Sequence, residues 1–315
     1  MSQTTAPAPR AERRGLGARL WQWLPTGIDR RLRVAAWLSF LAETIIIATG
    51  GAVRLTGSGL GCSEWPLCTP DSLVPRLEIE GIHGAIEFGN RLMTSVVGLL
   101  ALAVVLFVIR YRAQRRDLGT LSLIVLGGVV AQAVVGGITV WTGLNPFVVG
   151  FHYTASLLLV CVTAAFLVRM YEVPGPRLHT VPVWFRIGTH LTGLALALTI
   201  VFGVLTTGSG PHSGDANVVR DGFDATMLAH VHSWPGYILV ALLALLTASA
   251  WVMRLRPRRW LLVLVLAVAV QILVGVWQAR EGLPELLVGI HMVLAALSAA
   301  AYTVVVMRMK EPQGA

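Results

Sequence analysis

The stretch whose reading decides the fold is VAAWLSFLAETIIIATGGAVRLTGSGLGCSEWPLC, Val34 to Cys68. Its first part is apolar and long enough, at about 20 residues, to cross a bilayer as a helix. That run nevertheless carries an acid, Glu43. Its second part packs Arg54, several glycines, Cys62, Trp65 and Cys68 into a short loop. Ionisable groups inside a membrane are costly and face the interior of a bundle. The stretch therefore reads as a membrane helix in a multi-helix protein, ending in a loop that covers something.

The rest of the chain extends that reading. Of 315 residues, 55% are hydrophobic and 13% charged, where a soluble domain carries about 25% charge. Eight segments are long and apolar enough to span: 34–53, 84–109, 119–141, 148–168, 187–207, 226–253, 260–279 and 285–307. The expected class is an all-α integral membrane protein. Basic residues number 25 against 16 acids. Twenty of the 25 fall in the N-terminal tail, in "RYRAQRRD", in "RMYEVPGPRLHTVPVWFR", in "RLRPRR" and in the C-terminal "RMK". The positive-inside rule then puts both termini in the cytoplasm of a multi-pass protein of the cell membrane. The basic charge is a topology signal, not a nucleic-acid footprint. The first 33 residues lack an apolar signal core and read as a mostly disordered basic tail with an interfacial patch at "LWQWL".

Three cysteines are too few for a disulfide scaffold or a zinc site. Cys161 lies in an apolar run and reads as a packing residue. Cys62 and Cys68 are six apart and pair only if their loop meets an oxidising compartment. The topology places the loop outside, where a disulfide is chemically allowed. The other reading is two unpaired thiols.

The chain divides near residue 180 into two sets of four spans. "TGGAVRLTGSG" parallels "VFGVLTTGSG", "IHGAIEFGNR" parallels "AHVHSWPG", "AQAVVGGITVWTG" parallels "AVQILVGVWQAREG", and "VGFHYTAS" parallels "VGIHMVLAA". An even number of spans per half makes this a parallel repeat. The expected architecture is two four-helix bundles: tail 1–33, bundle 34–170, cytoplasmic linker 171–186, bundle 187–307 and tail 308–315.

Of eight histidines, His179 and His212 read as solvated loop residues, and His190 sits near the cytoplasmic start of span five. His83, His152, His230, His232 and His291 all lie near the outer ends of even-numbered spans. Imidazoles facing each other across a four-helix bundle suit the two axial positions of a haem iron. In the second half the pair is His291 with His232 or His230, which point about 200° apart on a helix. Repeat alignment favours His232, opposite Asn90. Spacing favours His230, which lies 61 residues before His291, against 62 from Asn90 to His152. In the first half His152 faces a span carrying Glu87, Asn90 and Arg91. Glu87 either handles protons or forms an i, i+4 ion pair with Arg91. Arg54, Arg76, Arg91 and the Gly-rich loop amides suit haem propionates, since arginine binds carboxylates bidentately.

At these residues the sequence resembles the haem A synthase family over about 34–307. "GGAVRLTGSGLGCSEWPLC" is similar to the family's first-loop signature. The resemblance implies His152, His232 (or His230) and His291 as haem ligands, Cys62–Cys68 as the family's disulfide and Glu87 as the Glu of its E-x-x-H-R motif. Here that motif reads "EFGNR", with Asn90 in the histidine position, and "HVHSW" has Ser233 where an arginine is expected. His83, about 10 Å along the helix from Asn90, does not substitute at the same height. The resemblance implies oxidation of the C8 methyl of haem O to the formyl of haem A for aa3-type cytochrome oxidase, with a haem b in the second half. It implies haem O synthase and oxidase assembly factors as partners, with an unnamed electron donor and room for a homo-oligomer. The alternative is a bis-histidine cytochrome b-like protein that moves electrons from quinol. A transporter and a thiol oxidase are weaker readings.

Overall fold

The computed structural model describes residues 15–215, 218–220 and 222–313. Parts of both tails, 1–14 and 314–315, lie outside the described residues. A short helix α1 (Leu16–Trp23) precedes eight long ones: α2 (Arg30–Leu55), α3 (Leu77–Val108), α4 (Arg116–Trp141), α5 (Pro146–Met170), α6 (Val183–Ser209), α7 (Ala225–Val252), α8 (Arg258–Arg280) and α9 (Glu285–Arg308). All eight are long and apolar enough to cross a membrane, and the protein is an all-α membrane protein. Their outward surfaces are leucine-, valine- and tryptophan-rich, as a lipid solvent demands.

The helices run past the expected spans because their caps lie in polar sequence. Asp29 accepts from Leu32 N–H, Asn145 from Phe147 N–H, and Asp224 from Thr226 and Met227 N–H, satisfying donors that each helix start leaves open. α3 begins well before its expected start, and Gly81, with φ 59°, breaks its first turn from the rest. Only glycine takes that backbone cheaply.

Within the tail expected to be mostly disordered, residues 1–14 lie outside the described residues, and the described ones include the helix α1. Its tryptophans are exposed, yet the Trp23 ring lies 5.8 Å from that of Phe107, and the Arg31 guanidinium stands 4.8 Å over it. An exposed Trp–Leu face beside arginines is the chemistry of a helix lying in the headgroup region.

α2, α3, α4 and α5 pack in a ring, each against the next and α5 back on α2. α6, α7, α8 and α9 do the same, and α9 joins the two sets through α2 and α5. Each set has its own apolar core. The linker and C-terminal tail are not loose. β1 (Arg177–His179) pairs antiparallel with β2 (Lys310–Pro312). Beside them Glu172, with a side chain only 4% exposed, lies within 3.2–3.5 Å of Arg169, Arg177, Arg256 and Arg308.

The α4–α5 and α8–α9 turns are built alike. Gly143 and Leu144, and Gly282 and Leu283, all have positive φ. Leu144 N–H donates to Thr139 O, and Leu283 N–H to Gln278 O, each at 2.8 Å. The two turns therefore deliver α5 and α9 in the same register, which sets the height of their histidines.

Candidate functional site

In the second half the rings of His232 on α7 and His291 on α9 face each other, with centroids 6.3 Å apart and planes at 70°. Two metal–imidazole bonds of about 2 Å each, plus the step from each ligating nitrogen to its ring centre, give a separation of this size. His232 Nδ1 donates to Thr199 O at 2.7 Å, which leaves Nε2 free as a ligand. Gly203 and Gly275 back the two rings: a Cβ on either would come 2.9 Å from the imidazole Cε1. Gln271 Nε2 donates to His291 O at 3.0 Å. His291 Nδ1 and Gln271 Oε1 are both buried and unpaired. Orphaned polar atoms beside a glycine-backed ring pair fit a bound group with a polar centre. His230 does not share this site. It is exposed, and its Nδ1 bonds Thr226 O at 2.8 Å, so the spacing argument for it fails against helix phase.

The first half repeats part of this arrangement. Gln132 Nε2 donates to His152 O at 2.7 Å, as Gln271 does to His291 O. Gly136 lies against the His152 ring, and His152 Nδ1 is buried without a partner. Opposite, Gly50 lies against Asn90 as Gly203 lies against His232. Thr49 Oγ1 donates to Asn90 Oδ1 at 2.7 Å, which orients the Asn90 amide and leaves its NH2 as a donor.

The loop from Thr56 to Arg76 closes over this end. Cys62 and Cys68 form a disulfide and are fully buried. Cys62 N–H donates to Glu87 Oε2 at 2.7 Å, and Arg91 Nε to Glu87 Oε1 at 3.1 Å. Arg91 Nη1 also holds Leu67 O at 2.8 Å. Trp65 lies against Gly137, where any Cβ would strike its indole at 2.4 Å, and meets Trp141 edge-on at 5.3 Å. His83 Nδ1 bonds Ser58 Oγ at 2.9 Å. Arg76 pairs with Asp71 and holds that carboxyl below its usual range.

Arg54, expected at a propionate, donates Nε to His212 O at 2.7 Å and Nη2 to Thr207 O at 2.8 Å. His212, expected to be merely solvated, bonds Leu283 O at 2.8 Å. Gly59 N–H donates to Gly214 O at 2.9 Å. These contacts clasp the first-half loop to the second-half loop, which no local pattern announced. Gln132, Gln271 and Thr199 were also missed as candidates. The glutamines stand inside the paired strings "AQAVVGG" and "VQILVGV", so repeat alignment held their signal.

Among the described residues no group of three or more His, Cys, Asp or Glu side chains could hold a bare metal ion. A porphyrin brings its own equatorial donors and needs only one or two from the protein, and the facing imidazoles fit that demand.

The COX15-CtaA family model, described as cytochrome oxidase assembly protein, matches residues 33–212, more than half of the chain. "Heme A synthase" proteins of Bacillus cereus (strain AH187) and Bacillus anthracis (strain A0248) are each 33% identical over 130 residues, 40% of this chain. The aligned part spans 41% of the length of those relatives. With its disulfide-closed first loop inside the matched range, the chain belongs to the COX15-CtaA family, the haem A synthase family that its loop and outer-end histidines resemble.

Proposed function

We propose that the protein is a haem A synthase, oxidising the C8 methyl of haem O to the formyl of haem A for an aa3-type cytochrome oxidase. The observation that carries this reading is the facing His232–His291 pair at 6.3 Å in its glycine cradle, beside a first half with one histidine of matching placement. In the second half His232 and His291 would hold a haem b. The four first-half helices hold the substrate haem through His152. Bound haem supplies the redox chemistry.

The side chains do the positioning. Thr199 fixes the His232 tautomer through Nδ1. Gln132 and Gln271 pin the helix turns that carry His152 and His291. Asn90, its oxygen held by Thr49, offers N–H donors where a second imidazole would otherwise stand. A substrate haem held there by His152 alone would be free to leave as product. Both Glu87 oxygens are engaged by Cys62 N–H and Arg91, which supports a positioning role: Glu87 and Arg91 hold the disulfide loop shut over the site and exclude water. The site lies at the non-cytoplasmic face of the cell membrane, with both termini in the cytoplasm. Haem O synthase upstream, oxidase assembly factors downstream and an electron donor are the partners this reaction requires.

The test is pigment analysis. Cells that make haem O and express this chain should accumulate haem A, and a deletion strain should lose it. A deletion strain with normal haem A, alongside a purified protein that still shows a reduced low-spin haem, would transfer the same histidines to an electron carrier.

A further inference from the structure

Glu43 is the buried acid that the proposed reaction leaves unused. It lies midway along α2, is 2% exposed, and its Oε1 has no hydrogen-bond partner. Its neighbours on α2 are set in apolar packing, Ala42 with Val97 and Leu159, and Ile47 with Leu157 and Val160. An unpaired charge in such surroundings costs several kcal/mol, so the resting group is a neutral acid with a proton to give.

One helical turn toward the cytoplasm, Ser39 lines a cavity of about 10 Å³ with Ser122 and Thr163. That is close to the room one water needs. Ser122 Oγ donates to Gly119 O and Thr163 Oγ1 to Val160 O, so both oxygens keep lone pairs for a guest. A water there would donate to those two and accept from Ser39, three bonds in all. Toward the outer face, Gly50 against Asn90 lies on the same α2 stripe, about 10 Å from Glu43 at 1.5 Å per residue.

The second half lacks the acid. Aligned through Gly50 with Gly203 and through Gln132 with Gln271, Glu43 corresponds to Leu196 and Ser122 to Leu261, and alignment of Asn90 with His232 matches Ala101 to Leu243, while Ser39 and Thr163 correspond to the hydroxyl residues Thr192 and Tyr302. All three leucines are buried in one apolar core. The acid and one of the three hydroxyls that line the cavity are therefore particular to the first half.

We propose that Glu43 is a proton-exchanging carboxylic acid, refilled from the cytoplasmic side through water held by Ser39, Ser122 and Thr163, that supplies protons to the first-half site. Each transfer takes the carboxyl proton outward and returns one through the water, which takes its own from the cytoplasmic side, so Glu43 and the water both end unchanged. The destination rests on the function proposed above; the exchange itself does not.

The experiment uses the purified full-length protein in lipid nanodiscs, read by infrared difference spectroscopy on exchange into D2O. Wild type should show a carboxylic-acid C=O band that shifts within minutes, absent from both Glu43→Leu and Glu43→Gln. Ser122→Leu, which fills the cavity as Leu261 does, should keep the band and slow its shift roughly tenfold or more. Glu43→Leu should retain the reduced haem spectrum while conversion of haem O falls by roughly a hundredfold. A Glu43 band that stays unshifted for hours, or a spectrum unaltered by either Glu43 variant, overturns the exchange. A shifting band with unchanged conversion overturns the destination. A shifting band in a wild-type protein that converts no haem O keeps the exchange and rejects the synthase reading instead.

Discussion

Gly275 is a single residue on which the site's geometry turns. Its missing side chain lets the His291 ring lie where a Cβ would come within 2.9 Å. Gly275→Val should therefore displace the imidazole and abolish the low-spin reduced spectrum, with little change in the amount of folded protein. His291→Ala should do the same by deleting the ligand. His230→Ala should leave the spectrum as in wild type, because that ring is exposed and bonded to its own helix at Thr226 O. A lost spectrum in His230→Ala, or a kept one in His291→Ala, would place the ligand wrongly.

At the scale of one element, the disulfide loop is held by a few charge-assisted bonds to α3. Glu87→Ala removes the acceptor for Cys62 N–H and the partner of Arg91. Charge-assisted bonds of this kind are worth about 2 kcal/mol net, or roughly thirtyfold in the fraction of open loop. Limited proteolysis of the solubilised protein should cut between Thr56 and Arg76 correspondingly faster in Glu87→Ala. The haem should stay bound, and conversion should fall. A loop as resistant as wild type together with lost conversion would move Glu87 from positioning to direct chemistry.

Across the whole molecule, the two helix sets are tied at both ends. At the outer end Arg54 and His212 bridge the loops. At the opposite end Glu172, an acid buried among four arginines, joins α5, the linker, the α7–α8 turn and α9. Glu172→Ala would leave Arg169 and Arg308 without a carboxylate partner, while Arg177 keeps Asp117 and Arg256 keeps Glu311, at a cost of about 3 kcal/mol. Thermal unfolding of the solubilised protein should show a lower midpoint, with the visible spectrum of the remaining folded fraction unchanged. An unmoved midpoint would mean that water and lipid headgroups already neutralise the cluster.

Span number, class and the pairing of like segments were legible because they depend on short-range chemistry. A run such as Val34 to Val53 needs about 20 apolar residues whatever its neighbours are, and "AQAVVGG" matches "VQILVGV" on inspection. The disulfide was legible as an option set by compartment. Three things needed the packed helices. Which of His230 and His232 meets His291 depends on the rotation of α7 about its axis, which neighbouring helices set. Where Arg54 reaches depends on a loop 158 residues away in the chain. The order in the tails comes from strands far apart in sequence and from a helix leaning on Phe107. Periodicity reports which residues share a face, but it carries no information about which distant face that one will meet.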